Sequence, residues 1–492
     1  MRLKIFALIF VIVWCGIFLS EKINLPTADI GRHIANGEVL AEAPFAEKQA
    51  LLNTNFFSYT MPDKEFTNHH WASGVIFYFI EKIFGFTGLS IFYTLASLAA
   101  IILFWNVARL ASNPYIASLL AVILTPLLVS RAEIRPEMWS YLLSGIFLNI
   151  LYFRKNLWLI PPFMMLWVNL HIGFIFGFLI LGSFCVEDFK KFAKIALVSL
   201  GLSLVNPFGY KIILYPFLIF KDYGYRIVEN QSISFLENIS FTEGQHFLLF
   251  KIIAGAILIS ALLMFYRRIK IPISMLAPTL VTGILAYFGI RNFPIFGLFA
   301  LVLLSFSFWQ LLIPKFSRHA IIAGSIIALI FSLSFGFKNI FSLRPIMGWG
   351  LYPESLQAAK FMNKNDIRGP IFNNYDVGGY LIHALYPREK VFVDNRPEAY
   401  SKKFFEEIYI PAQEDDTVWH GLDEQYGFNS VVFSHRDYTP WGQKFLRARI
   451  MDDKWTPVFA DSYIIIFLKR NNLNAELIAK FKIPRSQFGI SE

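Results

Sequence analysis

Eleven apolar runs of 14 to 21 residues follow one another through the first two thirds of this chain, and a polypeptide built that way cannot be solvated on all sides. They are Ile5–Ser20, Gly88–Ala108, Tyr115–Val129, Met138–Phe153, Leu157–Leu170, Ile172–Val186, Phe192–Val205, Phe247–Tyr266, Ile271–Ile290, Phe293–Ile313 and Ala320–Phe337. A bilayer span needs about 20 predominantly apolar residues, somewhat fewer inside a bundle. The pattern predicts an α-helical polytopic membrane protein of about 11 spans.

Charge divides the chain in two. Residues 351–492 hold 37 charged residues in 142, whereas residues 1–350 hold only 43. We therefore expect a transmembrane domain over 1–345, with a long first outer loop at 21–87, and a soluble extracytoplasmic α/β domain over 346–492. The later part balances 18 basic against 19 acidic residues, so the net charge of +10 resides in the membrane part. No basic stripe or nucleic-acid motif accompanies it, which argues against a nucleic-acid partner. The excess reads as topology instead. With the N-terminus inside, the inner loops collect 13 bases against two acids, while the outer side holds 14 of each. The positive-inside rule then places a multi-pass protein in the cytoplasmic (inner) membrane, N-terminus cytoplasmic and C-terminal domain outside. Trp71–Phe84 is apolar but short and contains Glu81 and Lys82, so it reads as an interfacial helix. The first run lacks a small-residue cleavage site and reads as an uncleaved helix. Cys15 and Cys185 both lie in apolar runs and form no disulfide framework.

Polar residues at a membrane edge are costly, about 2.5–3.5 kcal/mol for a central charge, and are functional by default. Here they gather at the outer ends of the runs. Asp29, His33 and Asn36 share a helix face by i, i+4, i+7 spacing. His69–His70–Trp71 precedes the second run, and Arg131–Ala132–Glu133–Ile134–Arg135–Pro136–Glu137 joins the third to the fourth. Asn169 and His171 end the fifth, Asn206–Pro207 the seventh, Glu229–Asn230–Gln231 occupy the next outer loop, and Arg291–Asn292 close the ninth. Each cluster also has a plain reading, as a helix cap, an interfacial anchor or a snorkelling arginine. Their common sidedness suggests one polar cavity open to the outside.

A carboxylate beside arginines and histidines suits activation of a hydroxyl or amine near an anionic leaving group. Asp29 is the candidate general base. Arg135 and Arg291 are the candidate bidentate ligands of a phosphate, with His70, Asn169, His171 and Glu229 as further substrate-binding candidates. A bilayer supplies one obvious donor with that chemistry, a sugar on a polyprenyl phosphate. With an acid just after the first span (Asp29), interfacial helices in the first loop, a second acid in the next outer loop (Glu133) and an outer C-terminal domain, the layout resembles the GT-C superfamily of integral membrane glycosyltransferases. Trp167–Val168–Asn169–Leu170–His171, Asn206–Pro207–Phe208–Gly209 and Asn374–Tyr375–Asp376–Val377–Gly378–Gly379–Tyr380–Leu381 look like segments of bacterial multi-spanning proteins in that group. The resemblance implies a GT-C-like fold, catalytic roles for Asp29, His33 and Glu133, a polyprenyl-phosphate-linked sugar as donor, and an extracytoplasmic glycan, lipid or protein as acceptor. It leaves a divalent metal bridging Asp29 and Glu133 open. Many members pair acids in the first loop, whereas here Ile30–Gly31–Arg32 follows Asp29.

Beyond Pro353 the pattern alternates between helix and strand, with strands expected at Pro370–Asn373, Lys390–Val393, Ser430–Phe433, Trp455–Ala460 and Tyr463–Leu468. Polar residues follow three of them, so Asn374, Tyr375, Asp394 and Arg396 mark a candidate binding edge beyond the strand ends. The plainer reading has Asp394 and Arg396 satisfying each other. No nucleotide loop, zinc spacing or nucleophile elbow is present. The rival functions are a polymerase or ligase of lipid-linked saccharides and a lipid-linked-sugar transporter or flippase; a transporter would be expected to carry midplane polar sites and internal repeats, which this sequence lacks.

Overall fold

A computed structural model describes residues 2–241, 244–311, 330 and 346–489. Ten of the eleven apolar runs are helical, and Ala320–Phe337 lies outside the described residues except at Ile330. By length and composition three described helices can cross a bilayer, Trp71–Ala111, His246–Tyr266 and Ile290–Leu311, and five further apolar helices are shorter. The run Trp71–Phe84 is a helix of its own as expected: Gly85, at φ +66°, leaves the helical region and separates it from the run that follows. Glycine reaches that left-handed conformation without a Cβ penalty.

The chain packs as two units. The first takes residues 1–22, 87–216 and 226–349. In it the helix Pro114–Leu128 packs against Arg2–Leu19 and Phe293–Leu311, and Ile273–Phe288 packs against Ile175–Glu187 and Phe293–Leu311. These helices bury Leu, Ile, Val and Phe on the inside while Leu258, Ile259, Leu262 and Phe288 remain exposed. Apolar outward faces are what a hydrocarbon solvent requires.

The second unit takes residues 23–86, 217–225 and 350–492. Its sheet has four strands, β1 (Ile371–Asn373), β2 (Ser430–Ser434), β3 (Trp455–Ala460) and β4 (Ile464–Lys469), in the order β1-β2-β4-β3. β1 runs parallel to β2, with Phe372 opposite Val431; β4 is antiparallel to both β2 and β3. Phe372, Trp419, Phe428, Phe445 and Trp455 fill the core beside it. The expected strand Lys390–Val393 does not join this sheet. Val391 pairs instead with the first-loop segment, exchanging backbone bonds with Phe57 and Tyr59 (3.1 and 3.2 Å). The Asn373 side chain takes the place of a ladder on the other side, donating to Val393 O (2.7 Å) and accepting from Phe392 N (2.9 Å). A side-chain amide carries the same donor and acceptor as a peptide unit, so it can close such an edge.

Candidate functional site

In the helical unit the Arg131–Pro136 stretch becomes a loop that leads into the helix Glu137–Phe153, with Pro136 at the position just before its first residue. Arg131 donates from Nε to Glu137 (2.8 Å) and from Nη1 to Glu229 (2.7 Å). Arg135 pairs with Glu133 (2.9 Å) and Glu229 (3.1 Å). Arg291 reaches Glu137 (2.6 Å) and the Asn230 amide oxygen (3.0 Å). Three guanidiniums thus meet three carboxylates, and Glu133 is the most exposed of the six at 47%. Burial would raise the Glu229 carboxyl, but Arg135, Arg131 and Arg291 hold it well below the usual carboxylate range. Glu21 goes the other way: burial, with Glu133 as a like-charged neighbour, pushes it up to about 7.

Arg135, Arg291, Glu133 and Glu229 are therefore brought together. Arg131 and Glu137, also members, were not singled out from the sequence. Their signal was the i, i+4 repeat of Arg131 with Arg135 and of Glu133 with Glu137. Asn169 and His171 tie helix ends. Asn169 donates to Met165 O (2.8 Å) and Val205 O (3.0 Å). His171 Nδ1 lies within hydrogen-bond distance of both Gly173 N (3.0 Å) and Ser140 Oγ (2.6 Å).

In the second unit, the helix Ile30–Glu42 is held by two close approaches. A Cβ on Gly37 would stand 2.0 Å from Gly74 O, and one on Gly31 would stand 3.2 Å from Gly379 O. The Gly37–Gly74 contact puts His33 beside His70 and Phe77, with ring centroids 5.6 and 6.4 Å apart; His69 and His70 are 3.8 Å apart. Asn36 accepts from Asn68 (2.8 Å). Asp29 stands at the N-cap position, yet its carboxylate does not cap the helix. It accepts from the amide of Asn395, whose oxygen in turn accepts from Arg32 Nε (2.9 Å). Asn395 was legible only as part of a polar stretch after a strand; its contacts with Asp29 and Arg32 lie more than 360 residues away in sequence.

At the ends of β1 and β2, Asn374 is fully buried, donating to Asp437 (3.1 Å) and accepting from Ser434 N (3.0 Å). Tyr375 stacks on Tyr225 at 4.2 Å. Asp394 and Arg396 have side-chain exposures of 0%. Arg396 grips Asp394 through Nε and Nη2 (both 2.7 Å), reaches Asn55 of the first loop (2.7 Å), and lies over the rings of Phe57 and Phe66. The pair fastens residues 55–66 and has no surface to offer a ligand. Asp376 also stands at this edge, and partial enclosure, with Asp437 and Asp29 as like-charged neighbours, pushes its carboxyl up to about 7. Among the described residues no group of three or more His, Cys, Asp or Glu side chains is placed to hold a metal ion.

No family model and no curated protein matches the chain by sequence. Solved structures do match by shape. The oligosaccharyltransferase AglB of Archaeoglobus fulgidus, in complex with an inhibitory peptide and a dolichol-phosphate, has a TM-score of 0.62 at 11% identity, over 94% of this chain and 74% of that one. The Archaeoglobus fulgidus oligosaccharyltransferase tethered to an acceptor peptide gives 0.62 at 12% identity, over 96% and 74%. Its apo form gives 0.57 at 12%, over 92% and 73%. The chain therefore shares the fold of the Archaeoglobus fulgidus oligosaccharyltransferase.

Proposed function

We propose that the protein is a membrane glycosyltransferase that moves a sugar from a polyprenyl-phosphate donor to an extracytoplasmic acceptor. The observation that carries this reading is the Asp29 carboxylate, held by the Asn395 amide that Arg32 also grips, in a chain whose fold is shared with an oligosaccharyltransferase over nearly its whole length. A general base must be oriented before it is basic, and a neutral amide donor orients a carboxylate without neutralising it. Asp29 takes the proton from the acceptor hydroxyl or amine as the acceptor attacks the anomeric carbon. The carbon–oxygen bond to phosphate breaks, and the electron pair leaves with the polyprenyl phosphate. Arg135 and Arg291, in the helical unit, are the candidate ligands of a phosphate. His33 is a positioning residue in this scheme. The inner-loop excess of basic residues supports a cytoplasmic N-terminus and an outer face for the chemistry.

The test is sugar transfer by the full chain in proteoliposomes, using radiolabelled polyprenyl-phosphate sugars and a membrane-extract acceptor fraction. Label should move to the acceptor with the wild type and not with Asp29→Asn. Label that crosses the bilayer still attached to lipid, with no transfer, would overturn the reading in favour of a flippase.

A further inference from the structure

The helix Glu137–Phe153 has 17 residues, about 25 Å, between the Arg131–Pro136 loop and its other end at Arg154. At that far end the chain turns sharply, with Arg154 and Asn156 both at φ +55°. It then enters the helix Ile160–Leu170, which packs against the later helix Phe189–Leu202. Five bases gather here. Arg154 lies over the Phe192 ring (5.8 Å) and reaches Asp188 (3.4 Å), and Lys194 Nζ stands 5.5 Å from the Trp158 ring centroid. Lys155, Lys190 and Lys191, which flank these residues in the chain, are exposed. The two acids of the same stretch are engaged: Asp188 by Arg154, and Glu187 by the backbone N–H of Ser274 (2.7 Å). Among the described residues Lys155, Lys190, Lys191 and Lys194 form no ion pair.

Beyond the lysines the surface turns to hydrocarbon. Lys190, Lys194, Leu197 and Gly201 follow one stripe of their helix by i, i+4, i+7, i+11 spacing, and all four are exposed, Leu197 at 70%. On the neighbouring chain Trp158, Leu159, Pro162 and Leu166 are exposed as well. Lysines that only hold a chain's orientation need nothing but water and bulk head groups. Lys194 instead sits more than one turn inside its helix, over an indole that keeps the ammonium against the apolar wall. We propose that Lys190 and Lys194, with Trp158, seat the phosphate of an anionic phospholipid whose acyl chains lie along Leu197 and Leu166. A zwitterionic lipid would bring a quaternary ammonium against five bases, so the surplus of positive charge selects a head with net negative charge. The seat is at the end of Glu137–Phe153 remote from Arg135 and Arg291, and is separate from any phosphate held there.

The test is native mass spectrometry of the full chain in detergent, titrated with dioleoyl phosphatidylglycerol and, separately, with dioleoyl phosphatidylcholine, which carries the same acyl chains. The wild type should retain phosphatidylglycerol in preference. Near a membrane surface each lysine strengthens the hold on an anionic lipid roughly 5-fold. Lys190→Gln combined with Lys194→Gln should therefore lower phosphatidylglycerol retention on the order of 30-fold and leave phosphatidylcholine unchanged. Lys251→Gln, whose ammonium is held by Glu237 (2.6 Å), should behave as wild type. Melting gives a second reading: added phosphatidylglycerol should raise the Tm of the wild type and not that of the double variant. Equal retention of the two lipids by the wild type, or an unchanged preference in the double variant, would overturn the assignment. Release of the bound lipid by millimolar glycerol phosphate would also overturn it, and would give these bases to a soluble phosphate instead.

Discussion

Replacing Arg396 by methionine is the most direct probe of how the first loop is anchored. The side chain makes a two-pronged ion pair with Asp394 at 2.7 Å and a hydrogen bond to Asn55 at 2.7 Å, all at 0% exposure. Methionine roughly matches its volume, so the main effect is a buried carboxylate without its cation. Breaking one partner of a buried pair costs about 3–5 kcal/mol. Asp394 keeps the Tyr400 hydroxyl at 2.9 Å and its bond from Arg396 N at 3.1 Å, and Arg32 lies within electrostatic reach, which argues for the lower end. At roughly 2–4 °C per kcal/mol for a unit of 150–250 residues, the expected fall in Tm is about 6–12 °C. Intrinsic fluorescence in detergent reports it, since Trp419 and Trp455 are buried in the same unit. The pH dependence has a definite sign. In the wild type burial opposes ionisation of Asp394, but Arg396 wins and holds its pKa below the ordinary value. It therefore contributes stability above the unfolded pKa that is lost as pH falls through the folded one. In Arg396→Met the carboxyl shifts upward, so the deficit should shrink on acidification. Asp394→Asn combined with Arg396→Met should recover more than half of the loss. A single-variant shift below about 2 °C, or a double variant no better than the single, would refute the claim that this pair secures residues 55–66.

Three other outcomes are expected. Asp29→Asn keeps an oxygen for the Asn395 amide to donate to and removes only basicity, so transfer should fall about 10²–10⁴-fold with donor binding retained; undiminished turnover would exclude Asp29 as the base. Gly37→Ala sets a methyl 2.0 Å from Gly74 O, so the helix Ile30–Glu42 must shift, with a loss of about 1–3 kcal/mol or more, read as a lower Tm; a wild-type melt would show the contact is not tight. Asp376, pushed up to about 7 from an ordinary value of 3.8, binds a proton more readily folded than unfolded, so its contribution to stability declines as pH rises between those values. Asp376→Asn should flatten that decline in melts taken from pH 5 to 8, and an unchanged slope would place the titration elsewhere.

What the sequence made legible follows from range. Apolar runs declare helices because periodicity and length are local, and the strands at Ser430, Trp455 and Ile464 are equally local. Polar residues show that charge is present without showing whom it meets. Arg131–Glu137 reads as a loop rich in both signs, and only the fold reveals that Glu229 and Arg291 complete it. The Asp394–Arg396 stretch looked like a binding edge because it follows a β-prone run. Its true partners, Asn55, Phe57 and Phe66, lie some 330–340 residues earlier, where no spacing rule reaches. Gly85 was legible as the end of the short Trp71–Phe84 run, because a glycine that follows an apolar run can take the left-handed backbone that stops a helix.

The division of the chain into interleaved units has a consequence in time. Residues 23–86 share a unit with residues 350–492, so 263 residues lie between the last residue of one segment and the first of the other. At about 5–20 residues per second of synthesis, Asn55, Phe57 and Phe66 wait on the order of 17–68 s before Arg396 exists to meet them. During that interval the first loop holds an apolar, amide-bearing surface with nothing to cover it. A nascent chain stalled before residue 350 should then be cleaved rapidly by protease within 23–86 and become resistant once the C-terminal residues are made. Timing, as much as affinity, would decide whether such a protein matures or is degraded.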